Sequence, residues 1–163
     1  MGRSSSTTTA SCRRTRDTAR AISQENVDKA ASFIAAYNRR DFDAAVEHFH
    51  PQVEWILPDL QESDSCVGPE EIIRFWRGID ETFDELQLEP QEYVDAGDRV
   101  ATRLRHYGRG KGSGLEMDTE LYHQVMTFRD GVAVRIEYFT DWAQALEAAG
   151  AAEAGSCKPE SGR

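Results

Sequence analysis

The chain has 163 residues, with 19 basic and 29 acidic side chains and a formal net charge of −10, long enough for one hydrophobic core without disulfide or metal staples. The charge is uneven: residues 1–20 carry five arginines against Asp17, residues 21–150 carry 12 basic and 26 acidic groups (net −14), and residues 151–163 balance. So acidic a body excludes a nucleic-acid surface, which needs clustered Lys and Arg to neutralise phosphates, and excludes docking on anionic lipid.

Residues 1–22 hold no large aliphatic side chain between Met1 and Ile22 and read as a disordered Arg/Ser/Thr-rich tail, although a transit peptide has a similar composition. Ser23, Glu25, Asn26 and Asp28 then supply a helix start, and Val27, Ala30, Ala31, Phe33, Ile34 and Tyr37 recur at helical spacing, predicting a first helix over about 24–38. Asp41 caps a second helix carrying Phe42, Ala45, Val46 and Phe49 on one side, which Pro51 ends. VEWIL at 53–57 alternates like a short strand, and DLQESDSCVG reads as a loop. Gly68-Pro69 opens a third helix with Ile72, Ile73, Phe75, Trp76 and Ile79 as its apolar side and Glu70 and Glu71 in its first turn.

Beyond Phe83 the texture changes to strands: LQLEPQEYVDAG, DRVATRLRHYGRG, GLEMDTELYHQVMTFRDG and VAVRIEYFT. Ala96-Gly97-Asp98, the glycine-rich 108–114 and Asp130-Gly131 separate them, short turns that predict an antiparallel meander with the helices on one of its faces. DWAQALEAAG is a short final helix stopped by Gly150, and 151–163 reads as a flexible tail. The cysteines, Cys12, Cys66 and Cys157, show no CxxC spacing, so neither a disulfide framework nor structural zinc is expected. No apolar run reaches the roughly 18–20 residues of a membrane span, and the reading is a cytoplasmic protein.

Taken in order, AASFIAAYNRRDFDAAVEHFHPQVEWILP, GPEEIIRFWRG, YHQVMTFRDGVAVRIEYFTD and ALEAAG resemble the SnoaL-like branch of the nuclear transport factor 2-like superfamily over about residues 25–150. The resemblance implies an α+β fold over 23–150: a conical barrel of N-terminal helices packed on a strongly curved antiparallel sheet around an apolar pocket. It also implies a homodimer formed through the outer face of the sheet and no cofactor. Members range from polyketide cyclases and ketosteroid isomerases to epoxide hydrolases and proteins without chemistry, so fold alone decides little about function. The ketosteroid isomerases' oxyanion tyrosine, base aspartate and protonated aspartic acid fall on Phe33, Leu57 and Gln124, none of which can do that work. The cyclases' acid/base aspartate falls near Tyr138, a hydrogen-bond donor but a poor base. Arg103 and Arg105 find no acidic partners that align with the epoxide hydrolases' set.

With that alignment Tyr122, Gln124, Met126 and Phe128 face the cone with Ile136 and Tyr138, while His123 faces outward; a slip of one residue would reverse them and make His123 the acid/base candidate. Asp141 either caps the last helix or joins the chemistry, and Glu137 faces away. The catalytic candidates are therefore His123, Tyr138 and Asp141, and the ligand-binding candidates Phe33, Tyr37, Trp55, Trp76, Tyr122, Gln124 and Tyr138. No metal site is expected, because the i, i+2 spacing of His48 and His50 does not put two ligands on one helical face. GRGKGSG at 108–114 lacks the phosphate-loop pattern and reads as a mobile hairpin at the pocket rim. Three readings follow: a binder of a small hydrophobic molecule, a cofactor-independent cyclase, hydrolase or isomerase using Tyr, His or Asp, and a dimeric scaffold without a ligand.

Overall fold

The computed structural model describes residues 24–58 and 65–151. Most of the two expected tails and part of the expected loop before Cys66 lie outside the described residues. Helix α1 runs through residues 24–38 and buries Asn26, Ala30, Phe33, Ile34, Ala36 and Tyr37 along one stripe. The chain then turns into α2, Phe42–Ala45, whose N-cap Asp41 accepts a hydrogen bond from the Ala44 amide at 3.2 Å.

Here the structure departs from the sequence reading. The second helix is a single turn, and Phe49 already belongs to strand β1, Phe49–Ile56, with Pro51 inside it. The reason lies in the backbone partners: the Ala133 amide donates to His48 O at 2.7 Å, and Phe49 pairs with Ala133. Pro51, which has no N–H to give, falls in the stretch where that register shifts, between Phe49 and Glu54. Strand β2, Cys66–Val67, pairs antiparallel with β1.

Helix α3, Pro69–Thr82, starts as expected, with proline in its first turn and the Glu71 carboxylate accepting the Val67 amide at 2.8 Å. Gly68 precedes it at φ 91° and ψ 154°, a conformation open essentially to glycine alone, and a Cβ there would sit 3.1 Å from Pro51 O. Gly68→Ala should therefore lower the unfolding free energy by about 1–3 kcal/mol in a urea titration, against a few tenths for an alanine at the open, exposed Gly112.

Strands β3, Phe83–Asp95, and β4, Arg99–Gly110, form a long hairpin across Gly97, and β6, His123–Arg129, turns at Asp130-Gly131 into β7, Val132–Phe139. Both residues of that last turn have positive φ, 53° and 82°, the backbone a two-residue hairpin with the sheet's own twist requires. The stretch read as one strand before this turn is two: β5, Glu116–Thr119, pairs with His106–Arg109 of β4, and β6 pairs with Arg99–Thr102. At the break the Leu104 amide donates instead to His123 Nδ1 at 3.3 Å, and Arg103 grips Glu120 with two hydrogen bonds of 2.8 and 3.1 Å.

Among the described residues the seven strands run β2-β1-β7-β6-β4-β3, with β5 beside β4. Neighbouring pairs are antiparallel except β1 and β7, which are parallel, a pairing the expected meander did not contain. Val100, Leu104, Met126, Phe128, Ile136 and Tyr138 face inward and share the main core with α1 to α3. The final helix α4, Trp142–Ala148, does not join them: its Ala145, with Ala149 beyond its end, covers Ala101 and Val125 on the opposite face, so the helices are not all on one side. No helix among the described residues is long and apolar enough to cross a membrane.

Candidate functional site

The inner face of the sheet, α1 and α3 do not close completely on one another. Between them is a cavity of about 340 Å³, lined from α1 by Phe33 and Tyr37, from β1 and the residue after it by Trp55 and Leu57, and from α3 by Phe75, Trp76 and Ile79. Phe83, Leu86 and Leu88 of β3, His106 of β4, Met117 of β5, Leu121 and Tyr122 before β6, and Tyr138 of β7 complete it. The aromatic wall is continuous: Trp55 lies 4.8 Å from Tyr138 and 5.3 Å from Trp76, and Phe33 stacks on Trp76 at 5.7 Å, ring centre to ring centre.

Arg40 fixes the helical side. Its guanidinium donates to Leu86 O at 2.7 Å and Tyr37 O at 3.1 Å, pairs with Asp80 at 3.2 Å and lies 5.2 Å from the centre of the Tyr37 ring. One residue thereby ties α1 to β3 and α3 around the cavity.

No carboxylate, ammonium or guanidinium belongs to the described lining, but neutral polar groups do. Tyr138 Oη accepts a hydrogen bond from Gln124 Nε2 at 2.8 Å, leaving its own O–H to donate. Burial pushes the Tyr138 phenol well above its ordinary range, offset in part by that amide, and raises Tyr37 to about 12, so both stay protonated. The indole N–H groups of Trp55 and Trp76 and Nδ1 of His106 are buried without a protein partner. Behind the wall, Thr102 Oγ1 and Gln124 Oε1 are unpartnered too, on residues that pair directly across β4 and β6. Orphaned buried polar atoms of this kind are uncommon, and their concentration around one cavity is the strongest mark of a built site.

His106 is the residue sequence reasoning missed. It is 5 % exposed, packs edge-on against Tyr122 at 6.1 Å, and is held neutral by burial and, secondarily, by nearby His123, its pKa falling to about 4. The signal was present: Val100, Thr102, Leu104 and His106 alternate along β4, and Val100 and Leu104 are core.

The other candidates divide. Phe33, Tyr37, Trp55, Trp76, Tyr122 and Tyr138 line the cavity, whereas Gln124 supports Tyr138 from behind it. His123 and Asp141 lie elsewhere. The His123 ring is buried on the outer side against Trp142, 5.4 Å away, because its neighbours Gln124 and Met126 take the inward phase. Asp141 caps α4 by accepting the Ala143 amide at 2.9 Å, and Glu137 pairs with Arg135 at 3.2 Å. The imidazole of His50 accepts the Gln52 amide at 2.9 Å, and no group of three or more metal-ligating side chains occurs among the described residues.

Helices and a curved sheet enclosing an apolar, aromatic-walled cavity define an α+β cone of the nuclear transport factor 2-like class. The family model for the SnoaL-like domain matches residues 30–136, more than half of the chain, and the protein belongs to that family. No curated protein matches it. A nuclear transport factor 2-like protein from Burkholderia thailandensis E264 is similar at 26% identity over 73% of this chain and 95% of its own, with a TM-score of 0.62. One of unknown function from Burkholderia pseudomallei K96243 is similar at 24% identity, over 76% of this chain and 95% of its own, TM-score 0.64. TerC, co-crystallized with polyporic acid, shares the fold at 24% identity over 77% of this chain and 98% of its own, TM-score 0.63.

Proposed function

We propose that the protein binds an uncharged, ring-shaped hydrophobic molecule carrying oxygen substituents in its conical cavity. The observation that carries this reading is the composition of the described wall: aromatic and aliphatic over most of its area, without a charged side chain among the described residues, and bearing buried polar atoms without a partner among them. An apolar ring system replaces water against Phe33, Trp55 and Trp76, with a gain of about 25 cal/mol per Å² removed from solvent. A carbonyl or hydroxyl oxygen gives the Tyr138 O–H an acceptor. A charged ligand would instead lose its hydration with no opposite charge to replace it.

The test is a thermal-shift series with uncharged aromatic ketones, phenols and steroids, with polyporic acid, the compound co-crystallized with TerC and an anion at neutral pH, as the charged comparison expected to bind more weakly. A ligand at a hundredfold excess over its Kd stabilises by about 2.7 kcal/mol, which for a chain of this size raises Tm by roughly 5–10 °C. Binding should also quench the emission of Trp55 and Trp76, while Trp142 on the outer side supplies an unquenched background. A panel that moves neither Tm nor emission rejects the reading.

A further inference from the structure

The cavity wall is not equally firm all round. Leu86 and Leu88 belong to β3, which pairs with β4 from end to end, and Trp55 and Tyr138 belong to β1 and β7, which pair with each other. Phe75, Trp76 and Ile79 share α3, whose Trp76 is fixed in the core. Residues 116–122 are held more weakly. Strand β5 is four residues long and pairs with β4 alone, so among the described residues no strand lies along its other edge. This segment nevertheless supplies Met117, Leu121 and Tyr122 to the wall.

At Met117 the wall is one side chain thick: that residue lines the cavity from within and, with Gln87, Tyr107 and Asp118, an open groove on the outside. Leu121, 40 % exposed, is the exposed member of the described lining. The outer face of β5 carries what keeps it shut. Asp118 pairs with Arg105 at 2.6 Å and Glu116 with Arg109 at 3.1 Å, both in contact with solvent and therefore open to screening by salt. Past its end, the double hydrogen bond from Arg103 to Glu120 and the bond from the Leu104 amide to His123 anchor the chain where β6 begins. A short edge strand with one anchored end and ion pairs in water is the part of a sheet that opens at least cost, far more often than the whole molecule unfolds.

We propose that residues 116–122 form a hinged flap over the cavity: β5 peels from β4, pivots about the Arg103–Glu120 grip and swings Met117 and Leu121 outward to admit the ligand, and the two outer ion pairs draw it shut. This rests on the ligand-binding reading above. Because opening precedes entry, the association rate follows the fraction of molecules whose flap is open. Weakening the ion pairs raises that fraction, and so speeds the entry even of a ligand that has no charge of its own to be steered.

The probe is prodan, an uncharged naphthyl ketone whose emission shifts to the blue in apolar surroundings, mixed with the protein in a stopped-flow instrument. Wild-type association should quicken by about twofold or more between about 20 mM and about 0.5 M sodium chloride. Glu116→Gln with Asp118→Asn should already be fast at low salt and lose most of that dependence, which separates the flap from any effect of salt on the probe. The complementary variant is a lock, Tyr107→Cys with Asp118→Cys, in a chain whose Cys12, Cys66 and Cys157 are exchanged for alanine. Positions 107 and 118 face each other across β4 and β5, and an antiparallel pair keeps its Cα atoms about 4.5–5.5 Å apart, within the span of a disulfide. Oxidised, it should take up prodan about tenfold or more slowly than the same protein reduced, with the final blue shift unchanged. Where the cysteine pair does not fold or oxidise, the glutamine and asparagine variant carries the test alone. Equal rates in the oxidised and reduced lock, or a low-salt rate of Glu116→Gln with Asp118→Asn equal to wild type, overturns the flap and leaves the binding reading standing. Absence of any blue shift with the wild-type protein counts against both.

Discussion

Trp76→Ala is expected to lower the unfolding free energy by about 3–5 kcal/mol, the range for emptying a large buried aromatic site, and so to remove a large part of the 5–15 kcal/mol typical of a domain. Trp76 is 1 % exposed and is where the aromatic rings converge: Tyr37, Phe42 and Trp55 all lie 5.3 Å from it, centre to centre, and Phe33 at 5.7 Å. The site cannot collapse easily, since Phe33 and Tyr37 are held by α1, Trp55 by β1, and the cavity already adjoins them. Trp76→Phe separates two contributions. It keeps a ring but deletes an indole N–H that is buried without a protein partner, and so relieves a desolvation cost of about 1–3 kcal/mol while losing some packing. The phenylalanine variant should therefore fall within about 1.5 kcal/mol of wild type. Urea midpoints at unchanged m-value measure both. An alanine variant within about 1 kcal/mol of wild type would mean that the aromatic cluster does not hold the cone together.

Much of this architecture is legible in the chain because it is local. The 3.6-residue recurrence from Val27 to Tyr37, the Gly68-Pro69 opening of α3 and the Asp130-Gly131 turn each fix an element within a few residues, and each stands where the pattern puts it. Closure of the sheet is not local. Nothing near Phe49 says that its neighbour is Ala133, so the spacing of Phe42, Ala45, Val46 and Phe49 predicts a helix that runs into what the parallel pairing with β7 makes a strand. The break between β5 and β6 is likewise set by β4, whose Leu104 amide turns to a side chain. The site shows the same division. The aromatic residues of the cavity are visible as types, and the outward phase read for His123 is the one the strand takes, against Trp142; the slipped phase that would make it the acid/base candidate does not occur, and the histidine that lines the cavity is His106, on a strand whose alternation the sequence reading did not follow.

That exchange of histidines has a consequence for acid stability. The His106 pKa falls from the ordinary 6.5 to about 4 in the folded protein, so between those values the unfolded chain binds a proton that the native state refuses. Stability therefore rises with pH across this window: the contribution is complete above pH 6.5 and is lost as pH falls toward 4, with no further loss from this group below that. The full difference between the two states corresponds to roughly 3 kcal/mol. His123 acts in the same direction, because burial lowers it too, with Glu120 and Asp141 opposing. The Glu120 carboxylate, held low chiefly by its hydrogen bond from Arg103, loses its own contribution at still lower pH. The measurement is the difference between wild type and His106→Gln in urea titrations at pH 7 and pH 4.5, which cancels contributions that do not depend on His106. Wild type should lose more stability than the variant by about 2–3 kcal/mol over that interval. Parallel losses would place the imidazole in contact with water and remove the argument that it stands neutral and waiting in an apolar wall.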